Sequence, residues 1–237
     1  MPKRPSFSRR AATAAAWPVG LALTSWNYMW RTTPMHRREE AGSAADDAPP
    51  PLPDDAAREE LQCPDDGVGP LFHRTYRARI RDAALSAEQL LAAIRADPDT
   101  VSPTELARYL KVGGEEGEMR VGDEYVVRMP GPWDGPVRVV EVTPRSFRLA
   151  TLAGHLEAGQ IELSAANGEH LVFSVESWAR AGDRLSDLLH QRLRMAKEVQ
   201  LHMWTSVLEQ AARLAGGRLS GGIEIVTRRI DYVPARG

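Results

Sequence analysis

The sequence predicts an α+β domain in which a curved antiparallel sheet of six to seven strands wraps around a long C-terminal helix. Three observations predict it. An alternating strand near Arg74 to Arg81 leads into a helical stretch; a series of short alternating strands follows; and one long amphipathic run, Asp183 to Leu214, closes the series. Strands joined by loops this short must be antiparallel. A sheet of this kind that ends in one helix tends to curve around it, and the space between the two layers is a natural place for a ligand.

Each element carries its own signal. The folded part begins near Pro70, and Tyr76, Ala78 and Ile80 alternate with Thr75, Arg77, Arg79 and Arg81, as in a half-buried strand with an arginine-rich outer face. Ser86 caps a helix over Ser86–Ala96 that shows Leu90, Leu91 and Ile94 on one face, and Pro98 stops it. A second short helix is predicted from Ser102, with Pro103 in its first turn, Leu106 and Leu110 on one face, and Gly113-Gly114 at its end. Strands are then predicted around Tyr125, Val127 and Met129, around Val137 and Val139, and around Phe147, Leu149 and Thr151. Two more follow around Ile161 and Leu163 and around Leu171, Phe173 and Val175, with Asn167-Gly168 between them as a type I′ hairpin signal. The long helix repeats Leu185, Leu188, Leu193, Val199, Met203, Val207, Ala211 and Leu214, and Gly216-Gly217 ends it. Ile223 and Ile225 suggest a closing edge strand, and residues 233–237 a tail.

The first 38 residues read differently. Twenty uncharged residues, Ala11 to Trp30, lie between basic clusters, which is long enough to span a membrane. Thr13, Pro18, Gly20, Thr24 and Asn27 interrupt the stretch. On a helix, Ala15, Val19, Ala22, Trp26 and Met29 make an apolar stripe. Three readings stay open: an interfacial or weakly spanning membrane helix over Ala11–Arg31, a helix docked on the domain, or a cleaved signal peptide. Residues 39–69, rich in Ala, Asp and Pro, read as a disordered, solvated linker. The domain proper is 70–232. The expected location is the cytoplasm, with membrane association under the first reading.

Composition narrows the function classes. Of the 237 residues 43% are hydrophobic and 26% charged, with a net charge of −2, so no global basic field exists to hold nucleic acid. Cys63 is the only cysteine, which excludes an internal disulfide and a Cys-rich zinc site. The sequence has no nucleophile elbow, P-loop or dinucleotide fingerprint, and none of its motifs points to a cofactor or a metal.

The order strand, helices, strand series and long helix resembles the helix-grip fold of the START and birch-pollen-allergen-like superfamily, SRPBCC. Within it, residues from Gly122 through Gln200 resemble an uncharacterised domain-of-unknown-function family, number nineteen-ninety. The residues that carry this are Gly122-Asp123, Trp133, Pro136 to Val140, Thr151 to Gly159, Phe173, Ser177 to Arg180, and Gln200. The most specific piece, GH-x-E-x-G, spans Gly154 to Gly159. Gln160 stands where that family usually has an acidic residue. The family has no settled activity, so the resemblance implies a fold and a pocket and no reaction.

Two sets of candidate site residues follow. His155 and Glu157 are two apart, so on a strand they face the same side and are candidates for an acid/base pair; in a hairpin bend they would brace the turn. The expected ligand pocket comprises Trp133, Thr151, His155, Phe173, Arg180 and Gln200, with Trp133 as a lid and Arg180 facing a carboxylate. The partner expected from this reading is a small apolar molecule such as a lipid, isoprenoid or polyketide-like compound. The alternatives are a cyclase- or dehydratase-type enzyme using His155 and Glu157, and a membrane-associated structural module whose interior is filled.

Overall fold

The structure, a computed structural model, describes residues 33–54, 56–103, 107–128, 134–182 and 195–232, the last range by backbone alone up to residue 200. Its strands are β1 (Met35–Ala41), β2 (Val68–Arg81), β3 (Arg108–Gly113), β4 (Glu124–Arg128), β5 (Asp134–Val142), β6 (Ser146–Thr151), β7 (Glu157–Ala166), β8 (Leu171–Ala181) and β9 (Arg218–Ile230). The helices are α1 (Ala87–Ala96) and α2 (Met195–Leu214). All strands join one sheet in the order β1-β9-β2-β8-β7-β6-β5-β4-β3. The fold is thus α+β, a large curved sheet with helices on its concave face. The sheet is larger than the six to seven strands expected, and it is mixed, because β1 runs parallel to β9.

Alternation decides which residues face the helices. Tyr76, Ala78 and Ile80 of β2, Leu171, Phe173 and Val175 of β8, and Ile223 and Ile225 of β9 pack with Leu201, Trp204, Leu208 and Ala211 of α2 and with Ala215 just after it. Each large side chain so buried stabilises the fold by roughly 1.5–3 kcal/mol. The helix ends where Gly216 turns back at φ +70°, a conformation only glycine adopts without strain. α1 sits at one end of this layer. Ser86 Oγ accepts from the Gln89 amide, and Gln89 Oε1 accepts from the Ser86 amide at 2.9 Å, a reciprocal cap that stabilises by about 1 kcal/mol.

Four expectations are corrected. The helix expected after Ser102 is instead β3, paired with β4, and Leu110 lies opposite Val126; Leu110, Lys111 and Val112 suit a pleated edge, and Gly113 and Gly114 follow a strand rather than a helix. Second, β9 is no edge, since β1 covers its outer side. Third, the β7–β8 connection is a four-residue loop in which neither Asn167 nor Gly168 has positive φ. Asn167 is used differently: its Oδ1 accepts from the Ala87 amide at 2.8 Å and its Nδ2 donates to Glu88 at 3.0 Å, which docks the start of α1 on the loop.

The fourth correction concerns residues 39–69, expected as a solvated tether. Met35–Ala41 is a strand, and the chain after it crosses the convex face as a strap. His73 Nδ1 meets Asp47 Oδ1 at 2.7 Å. Gln160 donates to the Pro50 carbonyl at 3.2 Å and Arg148 to that of Pro51 at 3.3 Å. Arg138 Nη1 donates to the carbonyls of Ala57 and Glu59 at 2.9 and 2.8 Å. The strap then returns, and Gln62 exchanges backbone and side-chain bonds with Thr151, Gly154 and Glu157. Its composition buries little apolar surface, as expected. Polar side chains of the sheet hold its carbonyls instead, in bonds made by charged donors that are among the stronger ones.

Candidate functional site

The concave face changes character along the strands. Toward α1 it is apolar and filled: Phe173 is fully buried, and the space among Ile94, Tyr109, Phe147, Trp204 and Val207 is about 10 Å³, room for one water at most. Toward the other end it becomes polar. Phe72, Arg74 and Tyr76 alternate along β2, in register with Ala179, Ser177 and Val175 of β8 and with Arg229, Thr227 and Ile225 of β9. Glu157 begins β7 on the same side, and its carboxylate lies 4.0 Å from Arg74 Nη1.

Burial at this end is deep. Arg74 is 4% exposed and Ser177 3%. The Arg74 guanidinium carbon stands over the Phe72 ring, 4.6 Å from its centroid. Burial pushes the Tyr76 phenol up to about 12, against the opposing charge of Arg74, so it stays a hydroxyl donor at all ordinary pH values. Ser177 Oγ on the sheet and Trp204 Nε1 on α2 are buried with no hydrogen-bond partner among the described residues. Buried polar groups are nearly always paired, so the orphan Ser177 hydroxyl opposite Arg74 marks this end out, whereas Trp204 lines the packed end beside α1.

Among the described residues, those expected to form a pocket do not converge. Trp133 lies outside the described residues. Gln200 lies on α2, with its side chain outside the described set. Thr151 Oγ1 donates to the Gln62 carbonyl at 2.9 Å and accepts from the Gly159 amide at 2.9 Å, so it closes the sheet end. Phe173 is in the packed core. Arg180 points to the convex side: its Nε donates to the Gly69 carbonyl at 2.9 Å, its Nη1 to that of Pro64 at 2.6 Å, and its guanidinium covers Tyr232. It holds the strap rather than a ligand.

His155 and Glu157 form the turn brace weighed against catalysis above. His155 Nδ1 accepts from the Glu157 amide at 2.9 Å, and burial holds the imidazole below its ordinary pKa, hence neutral at pH 7. With Nδ1 bound to that amide, only Nε2 is left for proton transfer. Gly159 is required nearby, since a Cβ there would stand 1.9 Å from the Trp178 carbonyl oxygen. Among the described residues no three His, Cys, Asp or Glu side chains stand together in a way that could hold a metal ion. No described helix is long and apolar enough to cross a membrane, and Ala11–Arg31 lies outside the described residues.

Sequence analysis did not single out Arg74 from the arginines of the outer face. The signal that separates it was present: Arg74 is in phase with Tyr76, Ala78 and Ile80, whereas Arg77, Arg79 and Arg81 are out of phase.

No protein-family model matches the chain, and no curated protein matches it by sequence. Solved structures with remote likeness include the di-domain aromatase/cyclase StfQ of the steffimycin biosynthetic pathway, at 12% identity and a TM-score of 0.47, over 65% of this chain and 52% of that one. Major latex-like protein 151 from Panax ginseng is similar at 14% identity and a TM-score of 0.39, over 57% of this chain and 99% of its own. Protein Ms6760 from Mycobacterium smegmatis is similar at 16% identity and a TM-score of 0.40, over 69% and 97%.

Proposed function

We propose that the protein is a non-enzymatic binder of a small, largely apolar molecule, held between the concave face of the sheet and α2. The observation that carries this is the buried Ser177 Oγ on the concave face, unsatisfied among the described residues and directly opposite the buried Arg74 in register. Binding sites for small molecules are mostly apolar with a few placed polar groups, and such groups are satisfied when the ligand arrives. The apolar contribution comes from Phe72, Tyr76, Ile161 and Ile225 on the sheet and Leu201 on the helix. The binding end is the polar one, since the end beside α1 is packed.

An enzymatic reading through His155 and Glu157 has less support, because His155 Nδ1 braces the Glu157 amide and the Glu157 carboxylate lies beside Arg74. Native mass spectrometry of the full chain purified from its host tests the proposal. The expected spectrum shows a non-covalent adduct at one per chain that disappears on denaturation, together with saturable displacement of a hydrophobic fluorescent probe. Absence of both an adduct and probe binding would overturn it.

A further inference from the structure

Arginines buried among the described residues give an internal comparison. Arg95, Arg138, Arg148, Arg180 and Arg74 are each at most 9% exposed. The first four each donate to a backbone carbonyl: Arg95 to Thr143 at 2.9 Å, Arg138 to Ala57 and Glu59, Arg148 to Pro51, and Arg180 to Pro64 and Gly69. Arg74 makes no hydrogen bond among the described residues. Its charge is balanced by the Glu157 carboxylate from 4.0 Å, beyond bonding reach, and its guanidinium carbon stands over the Phe72 ring. A guanidinium carries five donors and keeps its proton at any ordinary pH, so burying it without acceptors is expensive. The other four show what this fold does with a buried arginine whose role is structural.

We propose that Arg74 is the head-group receptor of the sheet–helix site, and that the ligand is an apolar carboxylic acid, bound as its carboxylate with the tail along the concave face. This rests on the binding reading above and narrows its ligand class. The planar fork of a guanidinium matches a carboxylate in two parallel hydrogen bonds. The Phe72 ring backs that fork. Ser177, directly opposite Arg74 in register, offers an unpartnered hydroxyl, and Tyr76, two residues along β2, offers a phenol that burial keeps protonated. Glu157, one-fifth exposed at the rim, repels a second negative charge, which favours a singly charged head group over a phosphate dianion. A neutral apolar compound would leave the fork unfilled.

Calorimetric titration of the full chain with dodecanoate and with dodecanol, which share a tail, tests this. Dodecanoate is expected to bind one per chain and at least about tenfold more tightly than dodecanol. Arg74→Gln is expected to abolish that difference while leaving the affinity for dodecanol unchanged. If the glutamine variant melts below the assay temperature, Arg74→Lys carries the test: a point charge in place of the fork is expected to weaken dodecanoate severalfold and spare dodecanol. Equal affinities in the wild type, a preference that survives Arg74→Gln, or dodecanoate binding undiminished by Arg74→Lys would overturn the head-group assignment and leave the binding proposal standing. No saturable binding of either compound would overturn both.

Discussion

His73 Nδ1 lies 2.7 Å from Asp47 Oδ1, and this contact pins the middle of the N-terminal strap to the second strand of the sheet. The other ring nitrogen, Nε2, meets Glu176 at 2.6 Å, and the ring stacks on Trp178 with centroids 5.1 Å apart. Arg228 also faces Asp47, at 3.6 Å.

The pair makes stability depend on pH in both directions. Burial alone would lower the His73 pKa, but the bonds and charges of Glu176 and Asp47 outweigh it and hold the imidazole above its usual 6.5. A raised histidine contributes stability that is complete below its unfolded pKa and is lost as pH rises through the folded one. Burial opposes ionisation of Asp47, yet His73 leads the contacts that hold its carboxyl below the usual 3.8. That contribution is present above the unfolded value and is lost as pH falls through the folded one. Thermal melting is therefore expected to be highest between these limits and to decline as pH rises from the ordinary 6.5 of histidine through the raised folded value, and His73→Gln should flatten the alkaline decline. A wild-type profile with no alkaline decline would exclude a charged clamp.

Arg180 is expected to matter for stability and not for ligand binding. Arg180→Ala takes the donor from the Gly69 carbonyl, leaves the Pro64 carbonyl only the Gly67 amide, and uncovers Tyr232, at a cost of about 1–3 kcal/mol in urea unfolding. The same variant should bind a hydrophobic probe with wild-type affinity once folded, because its side chain lies on the face away from α2.

Phe173 separates core from pocket. It has no exposed surface and packs with Val175, Tyr76 and the helix, so Phe173→Ala is expected to cost about 3–5 kcal/mol. A loss below about 1 kcal/mol, with tighter binding of large ligands, would mean that the ring lines open space.

His155→Ala removes the acceptor that holds the Glu157 amide. Hydrogen exchange should quicken at Glu157 and its neighbours, and global stability should fall by about 1 kcal/mol. Affinity for the probe should change less than twofold.

Much of this architecture could be read from the chain because it follows local periodicity. The alternation of Tyr76, Ala78 and Ile80, the cap at Ser86 and the stop at Gly216 are each set by neighbours within a few residues. The strap could not be read that way. Residues 42–67 lack apolar pattern, and what holds them is a set of side chains such as Arg138 and Arg180 that are distant in sequence. β3 was missed because Pro103, Leu106 and Leu110 also fit a helix face; the ladder with Tyr125 and Val127 decides it. Among the site residues, Glu157 was singled out for the wrong partner. Its neighbour in space is Arg74, which register supplies and sequence distance conceals.

The parallel seam between β1 and β9 has a consequence for synthesis. Glu40 and Arg228, which pair across it, are 188 residues apart. As the chain leaves the ribosome from its amino end, the seam must wait until the segment 188 residues further on is made, while β2 carries one bare flank. Completion of the sheet is therefore a late step, and non-local closure of this kind is slow. Until β9 is made, a cell making this protein holds an exposed strand margin that chaperones would be expected to occupy.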